Sequence, residues 1–150
     1  MIAEKIILGI DPGTTVMGFG IISVKKGKME MISIHELLLK KYPNHETKLK
    51  YIFDKTLALI DEFHPDEVAL EAPFYGKNVQ SMLKLGRAQG VAIATAMSAG
   101  LSVTEYSPKK VKQSITGNGN ADKDQVWKML QLTLNIEKKP IYFDATDALA

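Results

Sequence analysis

The chain is predicted to be an α/β protein with a mixed five-stranded sheet, three antiparallel strands followed by parallel ones, with helices on both faces. Three observations predict this. Residues 5–38 contain three strand-like runs joined by turns too short for crossover connections. From residue 45 onward the pattern alternates helix, strand, helix, strand. Two of the apolar strand runs, ILGID (7–11) and VALE (68–71), stop on a single carboxylate.

The elements follow in order from period and punctuation. Residues 5–11 read as a buried strand, Pro12, Gly13, Thr14 and Thr15 as a turn, and 17–24 as a second strand with Gly18 and Gly20 on one face. Residues 25–28, which include Gly27, close a hairpin into a third strand near 29–38. Asn44 caps a helix over 45–63, where Leu49, Ile52, Phe53, Thr56, Leu57 and Ile60 recur at helical spacing and Pro65 marks the stop. A fourth strand is predicted at 67–71. Asn78 caps a long helix that runs to about residue 99 and ends at Gly100, and 101–106 forms the fifth strand. Ser107 followed by Pro108 is a cap with proline at the first helical position, opening a short helix to about residue 116. After the loop 117–120 another helix spans about 121–134, and a last one begins near Asp144.

At 150 residues and 45% apolar content the chain supports one sizeable core, so a single domain over 1–150 is expected. The absence of cysteine excludes disulfides, thiolate-bound metals and thiol nucleophiles, and suits a cytoplasmic setting. The apolar stretch before Asp11 is too short for a signal peptide core or a membrane span. The net charge of +2 is unevenly spread: residues 74–128 carry 8 basic residues against 3 acidic ones. Lys77, Lys84, Arg87, Lys109, Lys110, Lys112, Lys123 and Lys128 make up that excess. A basic surface beside an acidic pocket fits a phosphate-bearing polymer, and it also fits a set of solubilising lysines.

Asp11, Glu71, Asp144 and Asp147 are the candidate site. A lone carboxylate at the end of a buried strand is costly unless it has a partner. If the first and fourth strands are adjacent and parallel, Asp11 and Glu71 emerge side by side at their carboxyl ends, where α/β sheets place ligands. Asp144 and Asp147, at i and i+3, share one face of a helix. Each also has a plainer reading. Asp-Pro-Gly is good turn chemistry, Glu71 can pair with a lysine, and Asp144 with Asp147 resembles a helix cap. Together they converge on one predicted edge, and clustered carboxylates call for hard divalent cations. All-oxygen ligation favours Mg²⁺ or Mn²⁺, and none of His35, His45 or His64 has a partner at zinc-site spacing. Two such ions support phosphodiester hydrolysis without a covalent nucleophile.

The runs ILGIDPGTTVMGFGII, LEAPFYGKNVQSMLKLGRAQGVA, VKQSITGNGNADKDQV and DATDALA resemble, in order and over nearly the whole chain, the RuvC family of Holliday-junction endonucleases in the RNase H-like superfamily. The resemblance implies an RNase H-like fold and a homodimer that makes paired, Mg²⁺-dependent nicks in strands of like polarity at four-way DNA junctions. It also implies a role in recombination and repair, with the branch-migration proteins RuvA and RuvB as partners. The family's catalytic, metal-binding carboxylates fall on Asp11, Glu71, Asp144 and Asp147. Phe74 matches an aromatic set against junction bases, and Lys77, Lys112 and Lys123 match positions that meet the DNA backbone. Members of the family continue further at the C-terminus, so the last helix is expected to be cut short here.

Alternatives stay open in the sequence. IDPGTT also resembles the phosphate loop of sugar-kinase and actin-like ATPases, although the chain is short for their two domains. A junction-binding module without activity, or an RNase H-like RNA-processing nuclease, would carry similar patterns. In the long helix, Gly86, Gly90 and Ala94 recur every four residues beside Met82, Leu85, Ala92 and Ile93. That smooth stripe suits packing on the chain's own sheet by default, or on a second subunit as the resemblance implies.

Overall fold

The computed structural model describes residues 4–72, 78–134 and Ala148, without the side chains of Lys123, Trp127 and residues 131–134. The elements are β1 (Lys5–Asp11), β2 (Val16–Lys25), β3 (Lys28–Leu38), α1 (His45–Phe63), β4 (Glu67–Glu71), α2 (Val79–Ser98), β5 (Ser102–Tyr106), α3 (Pro108–Thr116) and α4 (Lys123–Leu134). The sheet order is β3-β2-β1-β4-β5. β1 pairs antiparallel with β2 and parallel with β4, so β1 lies at the centre.

Local chemistry sets the boundaries. Lys26 and Gly27, at φ 54 and 76, supply the two positive torsions of the tight turn between β2 and β3. Asn44 Oδ1 accepts from Thr47 N at 2.8 Å, Asn78 Oδ1 from Ser81 N at 3.1 Å, and Ser107 Oγ from Lys110 N at 3.1 Å, each holding an N–H that the helix leaves unpaired. The helix expected from residue 121 starts at Lys123 instead. Asp122 Oδ1 accepts from Gln125 N and Gln125 Oε1 accepts from Asp122 N, both at 2.8 Å, a reciprocal cap that fixes the start. The helix expected from Asp144 lies outside the described residues, except that Ala148 is helical.

α1 and α2 cover one face of the sheet. Leu8, Ile10, Phe19, Ile21 and Leu70 meet Ile52, Leu59, Ile60, Ala88, Ala92 and Ala96 there in one continuous core. Phe53, counted in the apolar repeat, points outward at 44% exposure, and Leu59 fills the core in its place. The default expectation for α2 also fails. Gly86, Gly90 and Ala94 are exposed, and Ala88, Ala92 and Ala96, on the opposite side of the helix, meet the sheet. A smaller cluster on the other face joins Ala121, Val126 and Leu130 to Ile22, Met31, Ile34 and Ile115, so α4 covers the β2–β3 side.

Candidate active site

Strand alternation puts Ile7, Gly9 and Asp11 of β1 on the face away from α1 and α2, because Leu8 and Ile10 point into the core. The register places Gly9 beside Gly20 on one side and beside Ala69 on the other. Asp11 lies opposite Gly18. The parallel pairing runs to Ile10 beside Leu70, so the next residues, Asp11 and Glu71, are neighbours on one face. Adjacent strands lie about 4.8 Å apart, close enough for two carboxylates to share a cation. Beyond Glu71 the ladder continues through Ala72 N, which donates to Tyr106 O at 2.8 Å. Both acids are partly buried.

The small residues leave room in front of this edge. A cavity of about 270 Å³ is lined by Gly9, Gly20, Ala69, Glu71 and Tyr106 from the sheet, Val111 and Ser114 from α3, and Ala148. A Cβ built on Gly9 would collide with the carbonyl of Ala148, so glycine is required where that backbone crosses β1. Gly13 is equally constrained, because its Cβ would meet the Val16 carbonyl in the turn after Asp11. Sequence reading noticed Gly18 and Gly20 but missed Gly9. Its signal, a glycine two residues before the strand-ending acid, has meaning only once Ala148 lies above it.

The other predicted residues divide by position. Lys112 is partly buried on α3, beside the cavity-lining Val111. Lys123 opens α4. Phe74, Lys77, Asp144 and Asp147 lie outside the described residues, although Ala148 directly follows Asp147 in the sequence. The 117–120 loop between α3 and α4 is held by its own hydrogen bonds, with Asn120 N donating to Asn118 Oδ1 at 3.0 Å. Gly119 packs against Lys109, whose Cγ would lie 2.6 Å from an added Cβ. Among the described residues no three His, Asp or Glu side chains form a metal-binding group, and Asp11 and Glu71 are the two predicted site acids that the structure brings together. No helix among them is long and apolar enough to cross a membrane.

Comparison with known proteins places this geometry. The family model for crossover junction endodeoxyribonuclease RuvC matches residues 7–150. The RuvC of Christiangramia forsetii is 64% identical over 148 residues, covering 99% of this chain and 77% of that protein. The RuvC of Bacteroides fragilis is 55% identical, covering 99% of this chain and 80% of its own length. Among solved structures, Thermus thermophilus RuvC in complex with a Holliday junction substrate superposes with a TM-score of 0.89 at 29% identity, covering 97% of this chain and 88% of that one. The yeast mitochondrial Holliday junction resolvase, at TM-score 0.70 and 14% identity over 95% of this chain and 74% of its own, shares the fold. With an RNase H-like sheet, two acids at its central carboxyl edge and a family match over residues 7–150, the chain belongs to the RuvC family of crossover junction endodeoxyribonucleases.

Proposed function

We propose that this chain resolves four-way DNA junctions by paired, metal-dependent hydrolysis of phosphodiester bonds in strands of like polarity, acting in recombination and repair. The observation that carries the reading is the pair Asp11 and Glu71, neighbours on adjacent parallel strands and facing a hollow lined by Gly9, Gly20 and Ala69. The donors fit a hard divalent cation. They are all oxygen, no histidine lines the cavity, and the sequence has no cysteine.

Asp11, Glu71, Asp144 and Asp147 would hold two Mg²⁺ ions, with Mn²⁺ as a substitute. Such a pair supplies water activation and charge stabilisation at the departing oxygen. Asp11, on the central strand, would be the principal metal-holding carboxylate, with Glu71 and Asp144 completing the ligation. Asp147 either ligates or orients the attacking water. Phe74 would stack against junction bases, while Lys77, Lys112 and Lys123 would hold backbone phosphates by charge. Gly9 leaves room for the backbone of residue 148 to cross β1 beside the carboxylates, which would hold the segment that carries Asp147 near them.

The homodimer belongs to the same proposal. Val79, Leu83 and Met97 are 71%, 59% and 58% exposed and lie with Gly86 and Gly90 along the outer face of α2. That apolar, smooth stripe suits a second copy of the helix, giving two sites for paired nicks. A light-scattering mass of twice the chain would support it, and a mass of one chain would contradict it. RuvA and RuvB as partners, and a cytoplasmic location, are part of the same proposal.

Cleavage of four-way junction and plain duplex with Mg²⁺, by wild type and Asp11→Asn, tests the activity. Wild type should nick the junction preferentially, and Asp11→Asn should lose roughly a thousandfold or more in rate. Equal cutting by both proteins would refute the assignment.

A further inference from the structure

α1 and α2 both start at the carboxyl edge of the sheet, on the face opposite α3, so their N-terminal turns flank the carboxylate edge from the other side. One backbone hydrogen bond and one ring stack hold that corner in place. Leu39 N donates to Thr15 O at 2.8 Å, and the Tyr42 ring stacks on Tyr51 with centroids 4.0 Å apart. The first turn of α2 contains no acid, and that of α1 contains one, Glu46. His45 opens α1, which packs against α2, and the charges of Arg87 and Lys84 on α2 and of Lys48 on its own helix act on it. Among the described residues no carboxylate forms an ion pair with Lys48, Lys84 or Arg87. His45 Nε2 is buried and has no hydrogen-bond partner there. Three cations beside the N-terminal turn of α1 form a concentrated positive field at this imidazole, with Glu46 opposing it.

We propose that this corner, built from Lys48, Lys84, Arg87 and His45, is a second phosphate-binding surface for the junction, separate from the α3–α4 side. It rests on the nuclease reading above and adds to it: the DNA would cross the carboxylate edge with basic surfaces on both sides. The chemistry recognised is the sugar-phosphate backbone, because every charge here is carried by a flexible or delocalised cation and no fixed pattern reads base edges. A phosphate would also act on His45. Burial, then Arg87, Lys84 and Lys48, hold its pKa below the usual 6.5, against the pull of Glu46. An anion beside these cations offsets their field and raises that pKa, so binding takes up a proton and tightens as pH falls through the histidine range.

The test measures junction affinity by fluorescence anisotropy, without divalent metal, across a salt series. The double variant Lys84→Gln/Arg87→Gln is compared with wild type and with Lys25→Gln/Lys26→Gln, which removes the same charge at the β2–β3 turn, on the opposite end of the sheet. At about 0.1 M salt the Lys84/Arg87 variant should bind about tenfold more weakly, and the slope of log affinity against log salt should shrink by about 2. The turn variant should change less than about twofold. Wild-type affinity should rise from pH 7.5 to 6.0, and His45→Gln should flatten that rise. Unchanged affinity in Lys84→Gln/Arg87→Gln, or an equal loss in the turn variant, overturns the surface while leaving the nuclease reading intact if wild type still nicks. Full pH dependence in His45→Gln contradicts a phosphate beside the imidazole. A wild type that neither binds nor nicks junctions overturns both.

Discussion

The two faces of the sheet are made from alternate residues of the same strands, yet over β1 and β4 one is filled and the other is hollow. Toward α1 and α2, Leu8, Ile10, Phe19 and Leu70 are 0–1% exposed and close a dry core. One residue along each strand, Gly9, Gly20 and Ala69 leave a cavity that ends at Glu71, with Asp11 beside it. The filled face carries the apolar burial that stabilises the sheet. The hollow face gives up burial and gathers negative charge, which is the arrangement expected where charge and access matter more than stability.

Substitutions at neighbouring positions can break that division. The largest stability effect is expected at Leu8→Ala, where a buried side chain leaves a cavity costing about 2–5 kcal/mol. Chemical denaturation should report that loss, while nicking per folded molecule stays near wild type. Gly9→Val, one residue on, reverses the balance. Its side chain meets the Ala148 backbone and forces the chain beside Asp147 to shift, so nicking should fall by at least about tenfold. Its loss of stability should be smaller than that of Leu8→Ala. If Gly9→Val cut normally, the close approach of residue 148 would be irrelevant to function.

A smaller effect sharpens the filled side. His35 lies opposite Phe19 on β3, bonded to Ser33 Oγ at 2.6 Å and 6.0 Å from the Phe63 ring. Burial and then Lys55 hold its pKa below 6.5, with Glu62 pulling the other way. The unfolded chain therefore binds the proton more readily. The stability that His35 contributes as a neutral group is present above pH 6.5 and is lost as pH falls below it. Thermal midpoints at pH 7.5 and 5.5 should differ by less in His35→Gln than in wild type.

Much of this was legible in the sequence, because it depends on neighbours in the chain. The caps at Asn44, Asn78 and Ser107 are local chemistry, and the antiparallel first three strands follow from tight turns, while the adjacency of β1 and β4 was a condition that the structure meets. Asp11 and Glu71 could be paired in advance because parallel neighbours end at the same edge. What the sequence left hidden depends on distant segments. The role of Gly9 requires Ala148 overhead, and the outward turn of Gly86, Gly90 and Ala94 depends on which side of α2 meets the core. The cations around His45 gather only when α1 and α2 lie side by side. Lys84 and Arg87 appeared in the sequence merely as part of a charge excess.

The most direct test of the hollow face as a cation site is the thermal midpoint of the DNA-free protein as Mg²⁺ is titrated, in wild type and Asp11→Asn. At tenfold over its dissociation constant, bound Mg²⁺ should add about 1.4 kcal/mol, raising the wild-type midpoint by roughly 3–6 °C. Asp11→Asn should show little or no shift. An equal rise in both proteins would place the cation elsewhere and contradict the account.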